Sequence, residues 1–136
     1  MTGQTGSSGH NVAADAEALR KLHVPGEPLV LANVWDPTSA RVVEAAGMRA
    51  IATASNALAP VNGYEDHGHL PADVAFGALR RIADAVRLPV TADLEDGYGL
   101  SSQEFVEHLA GAGACGALLQ DSDHRAGGLV DAHPHA

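Results

Sequence analysis

Residues 89–99 run Pro89-Val90-Thr91-Ala92-Asp93-Leu94-Glu95-Asp96-Gly97-Tyr98-Gly99, a pattern that indicates a short buried strand ending in three carboxylates and a glycine turn. Acidic side chains crowded at the end of an apolar strand repel one another, and a divalent cation would relieve that repulsion. Asp93 and Glu95 are two positions apart, so on an extended backbone both side chains leave the same face. Two oxygen ligands with open positions beside them suit Mg²⁺, and a solvated turn is the alternative interpretation.

Outward from this segment, the chain alternates between apolar strands and amphipathic helices. Strands are predicted at 29–34, 50–54, 88–93 and 116–120, and helices are predicted to begin near residues 13, 36, 71 and 101. A polar loop is predicted over 55–70, between the second strand and the third of these helices. That helix is predicted to carry one apolar stripe, formed by Val74, Ala78, Ile82 and Val86. The connections between strands are too long for hairpins, which indicates a parallel sheet with right-handed crossovers.

Two of the predicted helices begin with specific capping signals. Asp36 precedes Pro37, which is the pattern of an N-cap followed by proline at the first helical position, and we prefer capping to a ligand role for this acid. Ser101 and Glu104 form a capping-box pattern. Three apolar residues after it are predicted to face inward, namely Phe105, Val106 and Leu109.

Polar residues gather where each predicted strand ends. They are Trp35 and Asp36, Ser55 and Asn56, Asp93 with Glu95 and Asp96, and Gln120 with Asp121. Ligand sites lie at these carboxyl ends both in barrel enzymes and in open α/β sheets. A helix-glycine-strand unit recurs weakly at 43–51 and 106–113, as in (β/α) barrels. The predicted fold class is therefore α/β, a parallel (β/α) barrel type with about four βα units.

The composition narrows the classes of partner. Of the 136 residues, 46% are hydrophobic and 18% are charged, which is ordinary for a globular domain. Seventeen acidic residues against 8 Lys plus Arg give a net charge of −9, which argues against nucleic acid or an anionic membrane as partner. The one cysteine, Cys115, allows no internal disulfide, and the cytoplasm is the default compartment. The Gly/Ser/Thr-rich residues 1–12 predict a disordered lead-in.

Five short motifs follow one another along the chain. They occupy residues 31–36, 44–47, 63–66, 91–99 and 120–122, and read Leu-Ala-Asn-Val-Trp-Asp, Glu-Ala-Ala-Gly, Gly-Tyr-Glu-Asp, Thr-Ala-Asp-Leu-Glu-Asp-Gly-Tyr-Gly and Gln-Asp-Ser. In this order they resemble the isocitrate lyase/phosphoenolpyruvate mutase superfamily, and most closely its small phosphomutase-like bacterial proteins. The resemblance covers residues 14–122 and is most specific over 89–99.

The resemblance implies a (β/α)₈ barrel that makes or breaks a C–C or C–P bond beside the carboxylate of an α-keto acid or enolate, using Mg²⁺ or Mn²⁺. Asp93 and Glu95 match the family's metal-site acids, and Asp66 matches a catalytic acid on the loop after the second strand. Ser55 and Asn56 match the segment whose backbone and hydroxyl hold the substrate carboxylate. The metal would stabilise the enolate oxygen that develops as the bond breaks.

Three further residues are expected at the substrate. Trp35 is predicted either as a wall of the pocket or as a core residue, and Gly97 and Tyr98 belong to a turn that lets the substrate approach closely. Asp96 has two interpretations of equal weight, one as a cap of this turn and one as a functional acid.

The sequence departs from the resembled family at several positions. Gln120 stands where the family usually has Glu, so we expect it in the metal site with a reduced affinity for the metal. Ala54 stands where a hydroxyl is common. The Lys-Arg-Cys-Gly-His loop of the lyase members does not follow Tyr98, and Cys115 lies at a strand entrance where it cannot replace that cysteine. Cleavage of isocitrate or methylisocitrate is therefore not expected.

Length sets the domain prediction, because a barrel of this kind needs about 250 residues. We expect a lead-in over 1–12, a partial (β/α) barrel over 13–122 and an irregular tail over 123–136. Two functions follow: a Mg-dependent lyase or mutase acting on a small α-keto acid or phosphonate, or a truncated, non-catalytic remnant of such an enzyme. Two unpaired sheet edges and an exposed apolar face predict a homo-oligomer.

Overall fold

The computed structural model describes residues 10–66, 70–122 and 126–130. Helices and strands alternate along these segments, as the sequence predicts. In chain order they are α1 (Val12–Leu22), β1 (Ala32–Val34), α2 (Pro37–Ala45), β2 (Ile51–Thr53), α3 (Ser55–Val61), α4 (Ala72–Ala83), β3 (Val90–Asp93), α5 (Ser102–Gly111) and β4 (Gly116–Leu118). None of the helices in the described segments is long and apolar enough to cross a membrane.

The four strands form one parallel sheet in the order β1-β2-β3-β4. This confirms the α/β class and the parallel sheet. The register aligns Asn33, Ala52, Thr91 and Gly116 in one lateral row. Neighbouring residues of such a row point to the same face, so these four share one side of the sheet. Asp93 lies two residues beyond Thr91 and points to the same side.

The opposite face of the sheet packs against the helices. Val34, Ile51, Val90 and Ala92 are fully buried there, in one cluster with apolar residues of α2, α4 and α5. The apolar stripe predicted on the helix that begins near residue 71 is confirmed within α4, where Ala78 and Ile82 are buried and Val74 packs against the same cluster. Val86 is also buried, but α4 ends at Ala83, so this residue follows the helix. This core fixes the sheet so that the carboxyl ends of all four strands meet at one edge.

Helix α1 covers part of the free face. A Cβ on Gly116 would lie 2.9 Å from Thr91 Oγ1 and 3.3 Å from Leu19 Cδ2, so this position has no room for a side chain. Leu118, on the same face and closer to the carboxyl edge, is 55% exposed. The face is therefore filled at its centre and open toward Asp93.

Both capping predictions are confirmed. The Asp36 carboxylate accepts the Ser39 N–H at 2.6 Å, and this bond, with the Ser39 hydroxyl, lowers the pKa of Asp36. Ser101 and Glu104 complete the predicted capping box of α5. These two local signals set where the helices begin.

Other boundaries differ from the prediction. The expected loop over 55–70 begins with helix α3, because the successive residues Leu58 and Ala59 are completely buried in the core. Its residues 67–69 lie outside the described residues. Strand β1 begins at Ala32 rather than residue 29, and β4 ends at Leu118 rather than residue 120. Val106 was predicted to face inward and is exposed.

The ends of the domain also differ in detail. Residues 1–9 of the predicted lead-in lie outside the described residues, but His10 and Asn11 are bonded to α1, whose first residue is Val12. In the predicted irregular tail, residues 123–125 and 131–136 lie outside the described residues. Between them the chain folds back, with an antiparallel bridge from Ser122 to Leu129 and a bond of 2.7 Å from Val130 N–H to Asp121 O.

Candidate functional site

The end of β2 holds the acid at the end of β3. Asp93 is the last residue of β3, and its Oδ2 accepts bonds from Ser55 Oγ at 2.7 Å and from Ser55 N–H at 3.2 Å. The Asp93 N–H in turn donates to Thr53 Oγ1 at 3.2 Å. Thr53 ends β2 and Ser55 begins α3, so two hydroxyl residues flanking one strand end fix both the backbone and the carboxylate of Asp93.

The turn after β3 brings the second acid back to the first. The strand ends at Asp93, and Glu95 has φ +51°, so the extended geometry expected between the two acids does not apply. A left-handed residue other than glycine costs about 1–3 kcal/mol and is a recurrent feature of functional sites. Here Asp93 Oδ1 accepts the Glu95 N–H at 3.3 Å, which helps to hold that conformation.

The residues that follow β4 also hydrogen-bond to Glu95. Its carbonyl accepts the Gln120 N–H at 2.7 Å. The Glu95 residue is only 1% exposed. A carboxylate is rarely buried to this degree unless it is paired or binds a cation, which is why its position matters for function.

The site residues surround a cleft of about 340 Å³ at the carboxyl edge of the sheet. It brings together six residues that the sequence had singled out, which are Ser55, Asn56, Asp66, Asp93, Glu95 and Gln120. Ala54 and Asn33 complete the lining. Asn33 was missed, and the signal that could have found it is a polar residue inside the apolar run 29–34.

Three residues predicted at the substrate lie outside this lining. Trp35 precedes α2, is exposed, and donates its backbone N–H to Ser39 Oγ. Gly97 has φ +83° and lies near Phe105 and Leu119. The Tyr98 ring packs edge-on against Phe76, with ring centres 6.2 Å apart.

Tyr98 and Asp96 shape the turn. The Asp96 carboxylate accepts the Tyr98 N–H at 2.9 Å, so its capping role is present in the structure. The Tyr98 hydroxyl is buried and has no hydrogen-bond partner among the described residues. Burial, followed by the negative charges of Glu95, Asp93 and Asp96, raises the pKa of Tyr98 far above its ordinary value. Its hydroxyl therefore stays protonated and acts as a neutral neighbour of the acids.

The carboxylate and amide oxygens of the cleft meet part of what a hard divalent cation such as Mg²⁺ requires. Mg²⁺ prefers oxygen ligands and usually keeps several waters, so two carboxylates and an amide oxygen on one cleft are compatible with it. Asp93 already accepts three bonds, and a carboxylate has about four acceptor sites, so roughly one remains for a metal. Within the described segments no three His, Cys, Asp or Glu side chains come together as a metal-binding group.

Comparisons with known proteins agree on one family. A sequence model described as phosphoenolpyruvate phosphomutase matches residues 19–136. The solved structure of a candidate phosphonomutase from Burkholderia cenocepacia J2315 is 44% identical, with a TM-score of 0.78 over 86% of this chain and 49% of that chain. Oxaloacetate acetylhydrolase, solved with its product oxalate, is 26% identical, with a TM-score of 0.76 over 86% and 43%.

A curated relative points the same way. The oxaloacetate decarboxylase of Rhodopseudomonas palustris (strain BisB18) is 31% identical over 109 residues, which are 78% of this chain and 38% of that protein. The chain spans 38–39% of the length of the curated relatives it matches. Its four parallel strands correspond to roughly half of the barrel-type relatives of known structure. On the family match, the shared fold and the identities, this chain belongs to the phosphoenolpyruvate phosphomutase family.

Proposed function

We propose that the cleft binds Mg²⁺ or Mn²⁺ together with a small α-keto acid or phosphonate, and supports making or breaking of the C–C or C–P bond beside its carboxylate. One observation carries the proposal: polar side chains from the ends of all four strands surround a single cleft of about 340 Å³. That volume suits a small ligand, and the carboxyl edge of a parallel sheet is where such folds bind them.

The residues divide into three roles. Asp93 and Glu95, with Gln120, would hold the cation. The amides of Asn33 and Asn56 would donate to the substrate carboxylate, which needs donors in a cleft that contains three acids. Asp66, on the loop after α3, lines the cleft and would move a proton on the substrate carbon. When bound, the metal would offset the negative charge that develops on the keto oxygen.

Relatives guide the choice of substrate. The curated relative is named for decarboxylation of oxaloacetate, and one solved neighbour is named for hydrolysis of oxaloacetate with oxalate as product. Another is named as a candidate phosphonomutase. Oxaloacetate and a three-carbon α-keto acid that carries a phosphonate on its third carbon are therefore the first compounds to test, since both place a carboxylate beside a keto group.

Metal binding is the first experiment. Calorimetry with Mn²⁺ should show weak binding to the wild type and tighter binding to Gln120→Glu, because a further carboxylate joins the shell. Glu95→Gln should weaken binding and serves as the opposite control. Equal affinity in the wild type and Gln120→Glu would remove Gln120 from the shell.

Turnover then separates the two functions that the sequence left open. An active protein should consume oxaloacetate or the phosphonate with Mg²⁺ present, and Asp66→Asn should abolish the reaction while leaving Mn²⁺ affinity unchanged. Metal binding without turnover of either compound would favour the second hypothesis, a non-catalytic remnant.

A further inference from the structure

The Ser55 hydroxyl is committed to Asp93. Ser55 is 5% exposed, and its Oγ lies 2.7 Å from Asp93 Oδ2. A serine hydroxyl has one proton to donate, so while this bond exists it cannot donate to a substrate carboxylate. The Ser55 N–H points to the same oxygen at 3.2 Å. Both donors expected to hold the substrate are therefore directed at a protein carboxylate.

Two donors on one oxygen fix the orientation of the carboxylate. With Oδ2 held by Ser55, Oδ1 receives only the Glu95 N–H from the part of the chain that the structure describes, at the longer distance of 3.3 Å. Asp93 lines the cleft, and Oδ1 is the oxygen with acceptor capacity left. A ligand atom in the cleft would thus meet Asp93 through Oδ1.

We propose that Ser55 is a positioning residue that orients Asp93 for the cation, rather than a residue that holds the substrate. The inference rests on the proposed function, because it gives Asp93 a cation to bind. Partners that orient metal ligands affect metal affinity by about 10- to 100-fold when they are removed. Removing the Ser55 hydroxyl should therefore weaken the metal site even when no substrate is present.

The test compares Mn²⁺ affinities by calorimetry without substrate. Ser55→Ala should bind Mn²⁺ about 10-fold more weakly than the wild type. Ser55→Thr keeps a hydroxyl and should recover most of the affinity. Ser102→Ala removes an exposed serine from the first position of α5 and should leave the affinity unchanged. Unchanged affinity in Ser55→Ala would overturn the proposal.

A double-mutant cycle separates positioning from any direct role of Ser55. In an Asp93→Asn background, Ser55→Ala should add no further loss of Mn²⁺ affinity, since Ser55 acts through Asp93. A further loss as large as in the wild type would show that Ser55 contacts the metal shell by itself, which contradicts the proposal.

Carbon NMR gives a readout that needs no metal. The Asp93 Cγ resonance should shift in Ser55→Ala and stay close to its wild-type position in Ser102→Ala. An unmoved resonance would overturn the positioning role. Failure of the wild type to bind Mn²⁺ would instead overturn the proposed function, while the shifted resonance would still report the contact between Ser55 and Asp93.

Discussion

His10 joins the start of the described chain to the carboxyl-terminal end of α4. Its Nδ1 lies 2.7 Å from Asp15 Oδ2, and its Nε2 lies 2.9 Å from Ala83 O and 3.0 Å from Val86 O. Its side chain is 4% exposed. Both ring nitrogens face acceptors, and only the imidazolium form can donate from both.

The protonation state of His10 should therefore be coupled to folding. Burial by itself lowers the pKa of His10, but the bonds to Asp15, Ala83 and Val86, with the Asp15 charge, raise it above its ordinary value. A raised folded-state pKa gives a stabilisation that is complete below the unfolded pKa of about 6.5 and is lost as pH rises through the folded pKa. His10 lines a second cleft, of about 530 Å³, and the other charged side chains that face this cleft are those of Asp15, Glu44, Asp84 and Arg87.

The size of the effect follows from the bonds. A hydrogen bond to a charged group contributes about 1.5–3 kcal/mol, and a cation at a helix carboxyl terminus up to about 2 kcal/mol. Neutral His10 can donate from one nitrogen only. We expect His10→Ala to lower the free energy of unfolding by about 2–3 kcal/mol in acid and by about 1 kcal/mol in base.

Urea denaturation at about pH 5.5 and about pH 8.5, on either side of the ordinary histidine pKa, would measure how much His10→Ala lowers the free energy of unfolding at each pH. His23→Ala is the matched control, because His23 Nδ1 bonds to Leu19 O at 2.9 Å at the other end of α1, its single side-chain hydrogen bond within the described residues. Asp15→Asn should reduce the pH dependence that His10→Ala abolishes. A cost for His10→Ala that is the same at both pH values would refute the reasoning.

Three further predictions concern chemistry, the turn and assembly. Isocitrate and methylisocitrate should give no glyoxylate or pyruvate above a no-enzyme control, because Cys115 lies outside the lining of the cleft. It directly precedes β4, and its Sγ is 3.5 Å from Val90 O. Gly97→Ala should destabilise the fold by about 1–2 kcal/mol, because Gly97 has φ +83°. Gly111→Ala, in open space at the end of α5, should be neutral or stabilising. Thermal melts of both variants test this, and melting-temperature shifts of the same sign would contradict the role of φ. Light scattering should find a species larger than the 13.9 kDa monomer, because Leu118 and Leu119 are exposed beside the β4 edge. A clean monomer with a cooperative melt would show instead that the four βα units bury their own core.

Local signals in the sequence predicted the elements well. The caps at Asp36 and Ser101 depend on residues within one turn, and the α4 stripe depends on spacing alone, so both are readable without the tertiary fold. Helix α3 was missed because its N-cap residue, Ala54, has no side chain that could cap it, and its formation depends on the burial of Leu58 and Ala59 by the rest of the core. Short helices have little stability of their own.

Asn33 shows that local sequence does not predict which side of a strand faces the cleft. The sequence predicts an apolar strand over 29–34, and an apolar strand gives no reason to expect a functional amide within it. In the structure β1 buries Val34 on the helix side, while Asn33 faces the cleft. Which face of the first strand meets the cleft depends on the register with β2, a long-range property that the apolar run does not encode.

The acid pair at the end of β3 was expected to share a cleft for a reason that does not hold. Spacing by two residues aligns side chains only while the strand continues, and β3 ends at Asp93. Glu95 reaches the cleft because its backbone turns left-handed, between the Asp93 carboxylate on one side and the Gln120 N–H on the other. The conformation of the second acid thus depends on β4, which lies more than twenty residues later in the chain. Any change that displaces the end of β4 should therefore disturb the acid pair as well as the Gln120 side chain.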